Sequence, residues 1–128
     1  MITYDFSNRV AIVTGAGGGM GLAIANIILN SGGSVILFDL KPEPDNLAGS
    51  ANQRLYAQGD LTDPAFVSAT IDAGAERFGH IDYLANVAGV LRFGDDASLL
   101  DMDLAVWDQV FDFNETFYIP WTTSRPKK

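Results

Sequence analysis

The sequence predicts an α/β fold, a doubly wound parallel sheet with helices on both faces that is truncated after about four strands. Three observations predict it. Short apolar segments typical of buried strands alternate with longer segments that carry apolar residues at helical spacing. A glycine-rich turn separates the first strand from the first helix. Polar residues follow the ends of several strands, where ligands bind in such sheets.

Four short apolar segments are predicted to form the strands. They are rich in β-branched and other apolar residues, and glycine or polar residues bound them, as expected for strands that are buried on both faces. The predicted strands are 9–14, 34–39, 54–59 and 81–85.

The first two helices are predicted from apolar spacing and from their end residues. Residues 21–31 carry apolar side chains at helical spacing, and two glycines follow. Thr62 or Asp63 can cap a second helix that begins with Pro64 and continues to about Phe78, before another glycine.

Two further segments complete the prediction. Residues 41–53 contain two prolines and a glycine, so we expect a loop there with at most a short turn. Residues 103–114 are predicted to form a last helix, which Asp103 can cap.

The turn after the first strand is predicted to hold a diphosphate. Main-chain N–H groups of such a turn and the positive end of the helix dipole favour an anion. Glycine lets the main chain approach the diphosphate and adopt positive φ. A turn that only packs the helix against the strand is the alternative. The candidate residues are Thr14, Gly15, Gly17, Gly18, Gly19, Met20 and Gly21.

Asp39 ends the second predicted strand, and its negative charge indicates which dinucleotide is bound. It lies 18 residues beyond Gly21, near the spacing at which a carboxylate meets the adenosine ribose. A carboxylate there would repel the extra phosphate of NADP, so NAD is favoured and NADP is less expected. The nearby cation Lys41 acts in the opposite direction. Leu40, between the two charges, is a further candidate cofactor contact.

Two more segments at strand ends are candidate cofactor contacts. Asp60 and Leu61 could hold the adenine, although an aspartate at this position is also ordinary helix-start chemistry. Asn86 is followed by small residues that let the main chain approach a ligand, and its amide can fix neighbouring strands; Ala88 and Gly89 belong to the same candidate set. A simple turn after a strand is the alternative for this tetrapeptide.

As a set, these residues resemble the short-chain dehydrogenase/reductase family. Its cofactor loop is matched by Thr14-Gly15-x-x-x-Gly19-x-Gly21, and its Asn-Asn-Ala-Gly signature is matched, with one change, by Asn86-Val87-Ala88-Gly89. The resemblance implies a Rossmann-type fold and NAD(P)-dependent hydride transfer at a hydroxylated carbon. It also implies that Asn114, the one counterpart of the family's catalytic group, keeps a helix open for a water-linked proton path. Residues 88–94 are similar to the 2,3-dihydro-2,3-dihydroxybenzoate dehydrogenases within the family.

The sequence also departs from the family. The family's acid/base tyrosine, with lysine four residues later, has no counterpart, and neither does its serine. We therefore expect the parent protein to be an NAD-dependent oxidoreductase acting on an alcohol, ketone or dihydrodiol, and this chain alone to be inactive. A non-catalytic dinucleotide-binding module or a decayed fragment that acts by protein contacts is the alternative.

The predicted domain is residues 1–114, followed by an irregular, non-family-like tail at 115–128. Family members run to roughly twice this length, so a truncated or frameshifted gene is one interpretation. Half a doubly wound sheet would expose strand one or strand four. We expect the chain to be marginally stable, to form a homo-oligomer, or to pair with a completing chain through that surface.

Composition excludes several classes of function. The formal net charge of −8 disfavours a non-specific nucleic-acid binder. No apolar run is long enough to span a membrane, and the chain has no cysteine and no signal-peptide pattern, so a cytoplasmic location without a membrane partner is predicted. No metal site is predicted, and the single histidine, His80, is not expected to be catalytic.

Overall fold

The computed structural model describes residues 1–89 and residue 105. This part of the chain alternates strands and helices as predicted. Its elements are β1 (Val10–Thr14), α1 (Gly19–Asn30), β2 (Ser34–Asp39), a 3₁₀ helix (Ala51–Gln53), β3 (Arg54–Gln58), α2 (Pro64–Phe78) and β4 (Tyr83–Asn86).

The four strands form one parallel sheet in the order β3-β2-β1-β4. The predicted parallel sheet is therefore confirmed. Strand β1 pairs with a neighbour on each side, and every residue in it is buried. Of the two strands expected to be exposed, only β4 lies at an edge of the described sheet, and its Tyr83 is 46% exposed. The expectation named strand one or strand four, and in the described sheet it is strand four that lies at the edge, because the crossover after β3 places β4 beside β1.

Helices α1 and α2 of the described part of the chain pack on opposite faces of the sheet, as predicted for a doubly wound fold. Alternate strand residues pack on α1, among them Val13 and Leu37. The intervening residues, among them Ile12 and Ile36, pack on α2. Burying one such side chain contributes about 1.5–3 kcal/mol. Because a β-carbon at Gly74 in α2 would overlap Ile36 Cδ1, the glycine is needed for this close packing.

The ends of α2 follow the predicted chemistry. The side chain of Asp63 accepts hydrogen bonds from Ala65 N–H and Phe66 N–H. Gly79 follows in the left-handed region at φ 86°, where glycine is favoured, and its N–H donates to Ala75 O at 2.8 Å.

Two boundaries differ from the prediction by two residues, and the other boundaries of the described strands and helices agree to within one residue. Helix α1 begins at Gly19 rather than at residue 21, because the glycines of the turn already form its first turn. Strand β4 begins at Tyr83, which pairs with Ala11, so Ile81 precedes the ladder and packs against the α2 side of the core.

Between β2 and β3 the chain forms a loop that ends in the 3₁₀ helix, as predicted. Hydrogen bonds from neighbouring elements fix this loop. Asn26 of α1 donates to Asn46 O and accepts from Ala48 N–H, and Arg54 donates to Ala48 O at 2.8 Å. The loop after β2 begins next to the predicted site. These hydrogen bonds fix the other end of that loop, near β3.

Within the described residues, no helix combines the length and apolar character needed to cross a membrane. Residue 105 is helical. The other residues of the predicted last helix, including Asn114, and the predicted tail at 115–128 lie outside the described residues.

Candidate dinucleotide-binding site

A cleft of about 470 Å³ opens at the carboxyl ends of β1, β2, β3 and β4. It lies where the strand order reverses, because the chain leaves β1 toward β2 on one side and β4 lies on the other. Most of the predicted cofactor contacts line it: Gly15, Gly18, Gly19, Met20, Gly21, Asp39, Leu40, Leu61, Ala88 and Gly89. The structure thus brings together residues from four separate segments of the sequence.

Glycines shape the floor of this cleft for different reasons. Gly15 has φ +69°, and a β-carbon there would lie 3.0 Å from the main chain of Ala88. A β-carbon at Gly21 would overlap the carbonyl oxygen of Gly15. Gly19 has φ +53° and nothing within 4 Å of its missing β-carbon. The first two glycines therefore permit close packing, while the third opens into the cleft.

The N-terminus of α1 faces the cleft without a competing cap. Its cap residue, Gly18, has no side chain to accept from the first turn, and no acidic residue lies in that turn. The first main-chain N–H groups of a helix have no partner inside the helix, and the dipole gives this end partial positive charge. The residues present therefore fit a diphosphate, which needs N–H donors and room to approach the main chain.

Thr14 joins the ends of β1 and β4 beneath the cleft. Its side chain is fully buried, and its Oγ1 donates to Asn86 Oδ1 at 3.1 Å. The same oxygen accepts from Val87 N–H and Ala88 N–H, each at 3.0 Å. Thr14 and Asn86 do not line the cleft. They hold the segment that forms one of its walls.

The carboxylate of Asp39 is fixed beside the glycine-rich turn. Oδ2 accepts from Gly17 N–H at 2.7 Å, and Oδ1 accepts from Lys41 N–H at 2.9 Å. Gly17 itself does not line the cleft. The charge of this carboxylate therefore has a defined place at the cleft, between the turn and the segment after β2.

Tyr56 holds the main chain that follows Asp39. Its hydroxyl donates to Lys41 O at 2.9 Å and lies 3.3 Å from Pro42 O. Partial burial, with smaller effects of the negative charges of Asp39 and Glu43, raises the pKa of Tyr56 to about 12. The hydroxyl therefore stays protonated, as a donor, at neutral pH.

The side chain of Asp60 is directed to the start of α2 rather than to the cleft. Its Oδ1 accepts from Thr62 N–H at 2.9 Å and from Thr62 Oγ1 at 2.7 Å. This is the helix-start role that the sequence left open for it. The neighbouring Leu61 lines the cleft and packs in the core on the α2 side.

The sequence profile of the short chain dehydrogenase family matches residues 9–124. The chain belongs to this family. It is 33% identical over 115 residues to cis-4-hydroxycyclohexanecarboxylate dehydrogenase of Sinomonas cyclohexanicum, covering 87% of the chain and 45% of that protein. It is 35% identical over 120 residues to D-threitol dehydrogenase of Mycolicibacterium smegmatis, with coverages of 88% and 45%. The chain thus spans about half the length of the curated relatives it matches.

A solved structure shows the same fold. The short-chain dehydrogenase/reductase of Brucella melitensis described as a glucose/ribitol dehydrogenase superposes with a TM-score of 0.85 at 29% identity. The match covers 96% of the chain and 52% of that structure. The Rossmann-type fold class is therefore confirmed. Members of the short chain dehydrogenase family typically bind a nicotinamide dinucleotide.

Three residues that line the cleft lie outside the set predicted from the sequence, namely Lys41, Gly59 and Val87. Gly59 and Val87 are neighbours of predicted contacts in the sequence. Their positions just after strands could have identified them as cleft residues. Lys41 stood out in the sequence only as a nearby charge. Its Nζ lies 3.9 Å from the position that a β-carbon of Gly18 would take, so its ammonium group lies over the turn.

His80 lies at the opposite end of the sheet, before β4. Its Nε2 is 2.8 Å from Asn8 O and 3.0 Å from Asp82 Oδ2. Asp82 also accepts from Val10 N–H at 2.9 Å. These contacts tie the beginnings of β1 and β4 together and give His80 a structural role away from the cleft.

Proposed function

We propose that the cleft binds NAD and that the chain is the cofactor-binding part of an NAD-dependent oxidoreductase of the short-chain dehydrogenase type. One observation carries the proposal. The carboxylate of Asp39 is held by two main-chain N–H groups at the edge of a cleft whose floor is an uncapped helix N-terminus. The helix N-terminus would take an anion and Asp39 would accept from a ribose beside it, as the diphosphate and the neighbouring ribose of an adenosine diphosphate require.

Each part of the dinucleotide has a proposed set of contacts. The main chain of the glycine-rich turn, with Met20 at the start of α1, would hold the diphosphate. Asp39 would accept hydrogen bonds from the two ribose hydroxyls. Leu40 and Leu61 would contact the adenine, whereas the carboxylate of Asp60 would take part only indirectly, through the turn before α2. The segment from Asn86 to Gly89 would adjoin the nicotinamide half.

The charges favour NAD over NADP. The extra phosphate of NADP would be placed on the ribose hydroxyl nearest Asp39, where two negative groups would repel each other. Lys41 would offset part of that repulsion, since it lines the same cleft. In this proposal Asp39 lies nearer to the ribose than Lys41 does, because the carboxylate of Asp39 is fixed on the glycine-rich turn.

Bound NAD would supply a hydride acceptor, so the proposed reaction is oxidation of a hydroxylated carbon or its reverse. Two relatives support this class of substrate, since their names specify dehydrogenases of a hydroxycyclohexanecarboxylate and of threitol. A dihydrodiol, which the likeness of residues 88–94 to dihydrodihydroxybenzoate dehydrogenases suggested, stays a prediction within it. Three further assignments also stay predictions: residues 1–114 as the cofactor domain, residues 115–128 as an irregular tail, and the role of Asn114 in a proton path.

The test is a titration of the full chain with NADH, followed by nicotinamide fluorescence. Wild type should bind with enhanced emission, and Asp39→Ala should bind at least tenfold more weakly, because a charge-assisted hydrogen bond contributes about 1.5–3 kcal/mol. Asp60→Ala is the matched control, since this carboxylate does not line the cleft. Folded wild-type chain that leaves NADH unbound at millimolar concentration would refute the proposal.

A non-catalytic dinucleotide-binding role is the second candidate. Within the 128 residues given, no tyrosine is followed four positions later by lysine, so this candidate concerns the chain tested by itself. It predicts NADH binding without turnover. Oxidation of any alcohol or dihydrodiol by the purified chain would exclude it and support an active enzyme.

In the described part of the chain β4 forms an edge of the sheet, and this edge motivates a proposal about partners. We expect this edge to be covered in solution, either by a second copy of the chain or by a completing chain, because unpaired strand edges are sites of association. Sedimentation velocity of the purified chain would show the association, and a well-behaved monomer with cooperative melting would contradict it. The absence of nucleic-acid and membrane partners, and the cytoplasmic location, stay predictions from the sequence.

A further inference from the structure

We propose that Gly17 is a positioning residue that fixes the Asp39 carboxylate and thereby sets the preference for NAD over NADP. The proposal rests on the function proposed above, because it concerns specificity in the same cleft. Gly17 does not line the cleft, so its effect would pass through Asp39.

Two main-chain N–H groups orient the carboxylate. Gly17 N–H donates to Oδ2 at 2.7 Å, and Lys41 N–H donates to Oδ1 at 2.9 Å. Each carboxylate oxygen can accept more than one hydrogen bond, so both oxygens keep capacity for a ribose hydroxyl. The two bonds therefore hold the carboxylate in place without using up its ability to bind a ligand.

The absence of a side chain at Gly17 is what lets the carboxylate approach. A β-carbon there would lie 2.7 Å from Asp39 Cγ and 2.9 Å from Oδ2, too close for either atom to stay. The atoms in the way belong to the end of a side chain, which can rotate. Gly17 is not among the glycines with positive φ, so alanine would not strain the main chain. Gly17→Ala should therefore move the carboxylate and leave the fold intact.

The consequence for specificity follows from the charges that remain. Among the described residues that line the cleft, Asp39 and Lys41 are the charged ones. With Asp39 fixed, a phosphate on the adenosine ribose meets a negative group. With Asp39 rotated away, the ammonium group of Lys41, which lies over Gly18, becomes the nearest charge to that phosphate. The preference should then shift from NAD toward NADP.

The experiment compares NADH and NADPH binding to the full chain by nicotinamide fluorescence. For Gly17→Ala, the affinity for NADH should fall about tenfold, while that for NADPH should stay equal or rise, so the ratio of the two dissociation constants changes at least tenfold. Gly18→Ala is the matched control. Its β-carbon would make only an ordinary contact with Lys41 Nζ at 3.9 Å, and its φ of 178° suits any residue. It should change both affinities by the same factor.

A double-mutant cycle tests the route of the effect. In an Asp39→Ser background, adding Gly17→Ala should leave the NADH-to-NADPH ratio unchanged, because the carboxylate is no longer there to be moved. A further change in the ratio would overturn the proposal, since Gly17 would then act by another route.

Three other outcomes also overturn it. One is wild-type binding of NADH with an unchanged ratio in Gly17→Ala, which would leave the proposed function standing. Another is a melting temperature of Gly17→Ala far below that of Gly18→Ala, because the argument requires a side-chain rotation and not a disturbed loop. The third, failure of wild type to bind either cofactor, would remove the proposed function together with this inference.

Discussion

Replacing Thr14 with valine should destabilise the chain through three hydrogen bonds that meet at one buried oxygen. Valine has nearly the same shape, so the substitution leaves no large cavity, but it removes the hydroxyl. Val87 N–H and Ala88 N–H then lose their acceptor, and Asn86 Oδ1 loses a donor. The change thus isolates the polar contribution of the link between β1 and β4.

The magnitude follows from those partners. Each buried donor left unpaired costs roughly 1–3 kcal/mol. Val87 and Ala88 line the cleft, so water can reach part of this segment and the cost lies toward the lower end. For two donors we expect the free energy of unfolding to fall by about 2–4 kcal/mol. Since small domains are stable by only about 5–15 kcal/mol in general, this is a large fraction of the total.

Urea unfolding followed by circular dichroism measures this difference. Thr14→Ser is the matched control, because it keeps the hydroxyl and loses only a methyl group, at a cost of about 1 kcal/mol. A loss below about 0.5 kcal/mol for Thr14→Val would refute the reasoning, since ordinary surface substitutions have effects of that size. Equal losses for valine and serine would also refute it, because packing rather than hydrogen bonding would then explain the effect.

Two further predictions concern Tyr56 and Asp63. The pKa of Tyr56 is raised from 10.0 to about 12, so its contribution to stability should be present below pH 10 and be lost as the pH rises through about 12. The urea midpoint of wild type should therefore decline over this range more than that of Tyr56→Phe, and equal declines would contradict the burial of the hydroxyl. Asp63→Ala should lower the free energy of unfolding by about 1 kcal/mol, because α2 loses its cap. Thermal melting with Asp63→Asn as control checks this, and asparagine should keep most of the stability.

The sheet and the location of the cleft could be predicted from the sequence for a simple reason. Apolar period and glycine placement are local signals, and the carboxyl ends of parallel strands necessarily share one edge. The order of the residues along the chain was therefore enough to place Asp39 beside the glycine-rich turn. The central position of β1 was not predicted, since it depends on the direction of the crossover after β3, which leaves no signal in the strand itself.

The details of the site that could not be predicted from the sequence depend on the direction of individual side chains. Asp60 follows a strand just as Asp39 does, yet Thr62 lies two residues later and offers it two donors. The local sequence does not show whether the carboxylate of Asp60 accepts from Thr62 or from a ligand. The direction of the Lys41 side chain could not be predicted either, because a long flexible side chain can point into solvent or over the glycine-rich turn. Gly17 looked like one more loop glycine, and only the 2.7 Å contact with Asp39 distinguishes it.

Cofactor binding should also stabilise this fold, because the cleft is built from the ends of β1, β2, β3 and β4 together. A dinucleotide that contacts the turn, Asp39 and the segment after Asn86 can bind only while all three are in place. A ligand that binds only the folded state stabilises it by RT ln(1 + [L]/Kd), about 2.7 kcal/mol at roughly 100 times Kd. A gain of that size is comparable to the loss expected from Thr14→Val. The residues proposed to bind the cofactor and those that hold the sheet together are therefore expected to be coupled. NAD should raise the melting temperature of wild type more than that of Thr14→Val, in which the ends of β1 and β4 are no longer joined.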